Sequence, residues 1–377
     1  MKVVTLVGTR PEIIKLSLVM QELDRNCDHM LVHSGQNYDD ELSGAIFRDL
    51  GLRKPDRFLE AAGETPAGTI ARVIERFDGV LAAERPDAML LLGDTNTGLG
   101  VIAAKRRRIP IFHMEAGNRS FDQRVPEEIN RRIIDHTSDI NLTYTEHARR
   151  YLLSEGLKPE TVIKTGSPMK EILDHHSDSI ARSSILRDQA LEPGRYFLVS
   201  AHREENVDDA GNLRNFREAL DGLARHYSWP VVVSTHPRTR RRLASAGLDD
   251  AGPLIRFCPP FGFFDYVALQ QQAACVVSDS GTLTEEASLL GFPGVMIRNA
   301  HERPEGMDEA TVVMSGLAPE RVLAAVALTR GQHERGFRPR NVDDYGADAV
   351  STKVVRIIFS YTEHVRRTVW REGEAAR

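Results

Sequence analysis

The sequence predicts an α/β protein of two doubly wound, Rossmann-like domains, and three observations lead there. Short β-branched or leucine-rich runs alternate with longer amphipathic segments along all 377 residues. Such alternation marks parallel sheets covered on both faces. The pattern occurs twice, on either side of a stretch from Lys170 to Gly194 with no strand signal. The length also exceeds what one hydrophobic core ordinarily serves.

In the first half, strands are expected at Val3–Gly8, His29–His33, Ala88–Gly93, Ile109–Met114, Asp139–Tyr144 and Thr161–Thr165. Helical patterns such as Pro11–Asp24 and Thr65–Glu84 lie between them. In the second half, strands are expected at Tyr196–Ser200, Pro230–Thr235, Leu254–Cys258, Cys275–Ser278 and Gly294–Ile297, with a helix at Asn212–Tyr227. The polar run from His175 and the turn-forming Leu191-Glu-Pro-Gly194 place the boundary. The expected domains are residues 1–172 and 190–350. The tail, 351–377, reads as a long helix with a charged stub, which needs a surface to dock on and can cross back to the first domain.

Composition excludes several classes. The net charge of −5 gives no bulk attraction to nucleic acid or anionic membrane. Cys27, Cys258 and Cys275 have no CxxC spacing, which argues against zinc and a disulfide framework and fits a reducing cytoplasm. No apolar run approaches the ~18 residues of a membrane span. Met1-Lys2 leads straight into a strand, so no signal peptide is expected. Lys105-Arg-Arg-Arg108 sits where a helix ends and complements its dipole rather than binding nucleic acid. His175-His176 has no partner at metal-ligand spacing.

The residues that carry chemistry cluster at strand ends. Asp94 follows the run Ala88–Gly93, Glu115 follows Ile109–Met114, and Pro126-Glu-Glu128 comes shortly after. Open α/β sheets bind ligands at the carboxyl ends of their strands. Acids gathered there repel one another, so their pKa values are expected to separate into an acid and a base. Gly8-Thr-Arg-Pro-Glu12 puts Arg10 at a helix mouth, where anions bind, against the plainer reading of a surface arginine. Lys15, one turn further, would by itself be a solvated helix residue. Ser280, Gly281 and Thr282 open a helix after a strand and can cradle phosphate oxygens, with Glu285 or Glu286 placed for ribose hydroxyls. The alternative is an ordinary capped helix start. GxxxxGK[ST] is absent, and so is GxGxxG after the first strand, which disfavours a P-loop and a dinucleotide redox cofactor. His202 and His236 follow strands of the second domain, and Arg303 is a further candidate anion ligand.

The ordered set Gly8–Lys15, Gly93-Asp-Thr95, His113–Gly117, Pro126–Arg131, Thr165-Gly-Ser167, Ala201-His-Arg203, Ser234–Pro237, Ser278–Gly281 with Glu285-Glu-Ala287, and Glu302–Glu305 resembles the non-hydrolysing UDP-N-acetylglucosamine 2-epimerase family. The resemblance implies a glycosyltransferase-B-type architecture with UDP-sugar in an interdomain cleft. It implies inversion at C2 of a UDP-N-acetylhexosamine by anti elimination of UDP to a 2-acetamidoglucal and re-addition. It assigns Asp94, Glu115, Glu128 and His202 to catalysis, and Arg10, Lys15, Ser280, Gly281, Thr282, Glu286 and Arg303 to UDP and substrate binding. No metal or other cofactor is implied, and a cytoplasmic homodimer is the expectation.

Within the family, Met114–Pro126 departs from the commoner Glu-Ala-Gly-Leu-Arg-Thr pattern, and the segment Ser351–Trp370 resembles a C-terminal extension of a branch that makes UDP-N-acetyl-L-fucosamine for capsule or O-antigen. The favoured substrate is therefore UDP-2-acetamido-2,6-dideoxy-L-talose, with UDP-GlcNAc/UDP-ManNAc interconversion as the alternative. Gly35-Gln36-Asn37-Tyr38 stands where bacterial relatives often carry Gly-Gln-His, so no activator site is assigned. A glycosyltransferase on the same scaffold and a hydrolysing epimerase are the competing readings.

Overall fold

The computed structural model describes residues 1–35 and 40–371; Gln36, Asn37 and Tyr38, on which the activator question turns, lie outside the described residues. The chain forms two compact units, Met1–Ile172 together with the segment from Asp343 onward, and Leu173–Val342.

The first unit is built on a seven-stranded sheet in the order β3-β2-β1-β4-β5-β6-β7. These strands are β1 (Lys2–Val7), β2 (Asp28–His33), β3 (Arg57–Phe58), β4 (Ala88–Leu92), β5 (Ile111–Met114), β6 (Ile140–Thr143) and β7 (Val162–Lys164). The second has a six-stranded sheet in the order β10-β9-β8-β11-β12-β13. Its strands are β8 (Phe197–Ser200), β9 (Val231–Ser234), β10 (Ile255–Cys258), β11 (Cys275–Ser278), β12 (Gly294–Met296) and β13 (Val312–Met314). Every pairing in both sheets is parallel. The central strands are buried on both faces, which is why they read as unbroken apolar runs rather than alternating ones. Valines and leucines of β1 and β4 pack with Val73, Phe77 and Leu81 of the helix Pro66–Glu84. In the second unit Phe216, Leu220 and Leu223 of the helix Ala210–Tyr227 do the same against β8 and β9.

The unit boundaries correct the sequence expectation. The second unit begins at Leu173, not 190, because the helices Ser177–Ala181 and Ile185–Asp188 pack on the helix Phe263–Gln272. It ends at Val342, not 350, because the chain beyond returns to the first unit. Asp344 accepts from Lys164 Nζ at 2.6 Å and from the Glu146 backbone N–H at 2.9 Å. The helix Val350–Thr368 then lies on the helix Arg10–Asn26, and Arg366 reaches Asp87 at 2.8 Å. No helix among the described residues is long and apolar enough to cross a membrane.

Both sheets have a switch point, where successive connections leave in opposite directions. It falls between β1 and β4 in the first sheet and between β8 and β11 in the second. The crevice beyond the carboxyl ends of such strands is where open α/β sheets bind ligands.

Candidate active site

In the first unit, Gly8 and Thr9 lead from β1 into the helix Arg10–Asn26, with Pro11 in its first turn. Glu12, one turn in, is buried, and its carboxylate accepts from the Gly8 N–H at 2.6 Å, the Thr9 N–H at 3.0 Å and Thr95 Oγ1 at 2.6 Å. It therefore ties the loop after β1 to the loop after β4, directly beside Asp94. Burial raises its pKa from 4.5 to about 7, with the donors and a neighbouring Asp94 acting in opposite directions. Arg10 sits at the helix mouth, where burial lowers its pKa and Asp49 opposes that shift.

Asp94 is partly exposed and pairs with Arg131 Nε at 2.8 Å. Arg131 also donates from Nη1 to Glu128 Oε2 at 3.0 Å. Glu128 is fully buried, and the same oxygen accepts from the Ser120 N–H and hydroxyl. Glu115 is 15% exposed and lies 2.6 Å from the Nζ of Lys15, which is itself buried over the Tyr144 ring. The sequence expectation pictured three carboxylates repelling one another. In the structure a cation stands beside each, so local charge is balanced by Lys15, Arg131 and Arg132.

A buried layer fixes the turn that carries Glu115. Glu115 and Gly117 have φ of 62° and 83°, and a Cβ on Gly117 would press on the Ala148 carbonyl. Asp135 accepts from the Gly117 N–H and from Arg119 Nη1, and lies 2.9 Å from His113 Nδ1. His113 Nε2 donates to the Gly93 carbonyl at 2.8 Å, binding the ends of β4 and β5 together. Arg119 forks onto Glu155, which burial disfavours as an ion but Arg119 and His136 hold down to about 2.

In the second unit, His202 follows β8, and Ser280, Gly281 and Thr282 follow β11. His202 is half-exposed, with Nδ1 3.2 Å from Asp279. A Cβ on Gly281 would land on Glu302 Oε1, so only glycine fits there without moving Glu302. Glu302 is held by Arg298 at 2.8 Å and faces Arg203 at 3.6 Å. Arg303 is buried, 3.6 Å from Glu285. Glu286 is buried and accepts from Gln270 Nε2 at 2.5 Å, rather than standing open at the helix mouth. His236 caps the helix Pro237–Ser245, accepting from the Arg238 N–H.

The structure thus joins Asp94 and Glu128 through Arg131, and sets Glu115 on Lys15 at the end of the neighbouring strand, with Arg10 opening the helix that carries Lys15. It sets His202, Ser280, Gly281 and Thr282 at the switch point of the second. Lys15, expected with the nucleotide, lies on Glu115. Sequence reasoning passed over Glu12, Arg131, Asp135 and Asp279. Glu12 had a signal, because Thr9-Arg-Pro-Glu12 has capping-box spacing. Arg131 stands one turn after Glu128, where a partner is expected. Asp279 lies within the motif Ser278–Gly281, though its partners do not follow from it; Asp135 had no signal, since its partners come from other segments.

A family model described as UDP-N-acetylglucosamine 2-epimerase matches residues 21–359. The chain belongs to this family. It is accordingly an enzyme of the isomerase class, with the family's two parallel-sheet, glycosyltransferase-B-type units. A solved UDP-N-acetylglucosamine 2-epimerase from Rickettsia bellii is 51% identical, with a TM-score of 0.92 over 99% of this chain and 100% of that one. The Methanocaldococcus jannaschii UDP-GlcNAc 2-epimerase, crystallised with UDP-GlcNAc and UDP, is 30% identical, with a TM-score of 0.90 over 96% of this chain and 100% of that one. A Pseudomonas aeruginosa UDP-2,3-diacetamido-2,3-dideoxy-D-glucuronate 2-epimerase is 33% identical over 88% of this chain and 93% of its own length.

Proposed function

We propose that the protein inverts C2 of a UDP-N-acetylhexosamine by eliminating and re-adding UDP. The observation that carries this reading is the pair of partly exposed carboxylates, Asp94 and Glu115, at the ends of adjacent strands β4 and β5, each beside a buried cation. The C2 hydrogen of such a sugar is not acidic. When the C1–O bond breaks, its electron pair leaves with the diphosphate and C1 becomes cationic, which makes the C2 proton labile. One carboxylate takes that proton as the C1=C2 double bond forms. A carboxyl on the other face then returns a proton to C2, and the diphosphate oxygen rebuilds the bond to C1. Asp94 and Glu115 are the proton carriers in this reading. Glu128, enclosed by Arg131 and Ser120, joins them through Arg131. His202 and Arg10 lower the cost of the leaving diphosphate. Ser280, Gly281 and Thr282 receive phosphate oxygens, with Lys15, Glu286 and Arg303 supporting substrate binding.

The finer assignment is UDP-2-acetamido-2,6-dideoxy-L-talose to UDP-N-acetyl-L-fucosamine, within surface polysaccharide synthesis and in a cytoplasmic homodimer. Support for that sugar comes from the departure of Met114–Pro126 from the commoner family pattern and the likeness of Ser351–Trp370 to that branch. The name of the Pseudomonas aeruginosa relative also indicates that this scaffold serves more than one UDP-acetamidosugar. UDP-GlcNAc/UDP-ManNAc interconversion is the second reading, favoured by the names of the other relatives. The test is a panel of D-gluco and L-talo UDP-acetamidosugars in deuterated water. C2-inverted product carrying deuterium at C2, with no free sugar, is expected. Product without deuterium, free N-acetylhexosamine, or turnover only with an added acceptor overturns the mechanism.

A further inference from the structure

We infer that Asp279 is a positioning residue for His202, fixing which imidazole nitrogen carries hydrogen and leaving Nε2 as the nitrogen that meets ligand. The functional half of this inference rests on the proposed role of His202 at the diphosphate. The strands β8 and β11 are neighbours in register, Cys275 beside Phe197 through Ser278 beside Ser200. The next residues therefore emerge side by side at the switch point of the second unit. Asp279 is fully buried there. Its Oδ2 accepts from the backbone N–H of His202 at 2.9 Å, the N–H of Arg203 at 2.9 Å and Asn206 Nδ2 at 3.1 Å. Its Oδ1 lies 3.2 Å from the His202 N–H and 3.2 Å from His202 Nδ1.

A carboxylate in that ring of donors can only accept, so at 3.2 Å it favours the tautomer with hydrogen on Nδ1. Burial opposes ionisation of Asp279, but His202, the Arg203 N–H and Asn206 outweigh it and hold the carboxyl far below the usual range. With hydrogen on Nδ1, Nε2 is the nitrogen left to meet a ligand. The side chain is 45% exposed. When Nε2 is protonated, the cation beside the diphosphate has a fixed counter-charge behind it, a logic known from other Asp–His pairs.

The D279N substitution tests this. The asparagine oxygen can keep the three contacts of Oδ2, while its NH2 replaces Oδ1, turning a donor toward Nδ1 and giving up the longer contact with the His202 N–H. Nitrogen-15 NMR of the full chain labelled at histidine, at pH 8, reads the tautomer directly; H202Q serves to assign the signal. Wild type is expected to show the Nδ1–H pattern, and D279N the Nε2–H pattern. With D279N, kcat should fall at least ~100-fold while KM stays within about three-fold. N206A loosens the same loop without changing the group facing Nδ1. It should keep the wild-type pattern, with kcat within about five-fold of wild type. An Nε2–H pattern in wild type, an unchanged pattern in D279N, or an equal loss of kcat in N206A overturns the inference. Should D279N fail to fold, the wild-type spectrum still decides. Absence of turnover with every sugar would sink the functional reading alone, because the spectra need no substrate.

Discussion

Each unit places one buried carboxylate across its switch point, and the two are charged differently for comparable work. Glu12 binds the loops after β1 and β4, through Gly8, Thr9 and Thr95. Asp279 binds the loop after β8 to the end of β11, through His202, Arg203 and Asn206. Each accepts three or more hydrogen bonds. Glu12 nevertheless rises to about 7, because burial dominates and Asp94 stands beside it. Asp279 faces an imidazole instead, and is held far below the usual range. Hydrogen-bond number alone does not set the ionisation of a buried carboxylate; burial, donors and neighbouring charged groups are weighed together. The first unit can thereby hold a neutral carboxyl among its acids near neutral pH, while the second keeps a permanent anion behind a histidine.

The largest effect should come from breaking the first unit's chemistry. E115Q is expected to lower kcat about 10³-fold while UDP affinity, measured by titration calorimetry, stays within about three-fold. Equal loss of affinity would put Glu115 in ligand binding instead.

The next effect sharpens the contrast in ionisation. The native pKa of Glu12 is raised, so its contribution to stability is fully present below about 4.5 and is lost as pH rises through about 7. Glutamine at this position accepts from Gly8 and Thr9 and donates to Thr95, without titrating. Relative to wild type, E12Q should therefore gain about 3 kcal/mol of unfolding free energy between pH 4.5 and 8, in urea titrations. A flat difference across that range would remove Glu12 as a titrating group.

In the second unit, G281A forces Glu302 away from Arg298 and Arg203. A loss of about 1–3 kcal/mol in stability is expected, together with weaker UDP binding. An unchanged Tm and unchanged affinity would show that Glu302 yields freely. The smallest effect belongs to the tail: R366A should cost about 0.5 kcal/mol, because the Asp87 pair is part-exposed and screened. A loss above about 2 kcal/mol would mean that the ion pair, not the apolar helix face, docks the tail.

Much of the architecture was legible. The central strands were found because burial on both faces makes them continuous apolar runs. The strands β3 and β13 were not expected: β3 is two exposed residues, and β13 is three residues at the sheet edge. The stretch after Lys170 read as a linker because its helices are short and polar; only their packing against Phe263–Gln272 joins them to the second unit. Asp94 and Glu115 were legible from their place after strands. The enclosure of Glu128 and the placement of Lys15 on Glu115 were not, since both depend on pairs far apart in the chain or on loop closure.

By itself, the sequence determined the two alternating halves, the strand ends that carry acids or small-residue loops, and the family to which those motifs point. Local pattern suffices for this, because periodicity and turn chemistry are properties of neighbouring residues. Tertiary structure alone decided which cation stands beside which carboxylate, that Glu12 and Asp279 span the switch points, and that the final helix returns to the first unit. Charge pairing and burial depend on distances in space between residues as much as 279 positions apart, as in Arg366 and Asp87, and no local pattern encodes those distances.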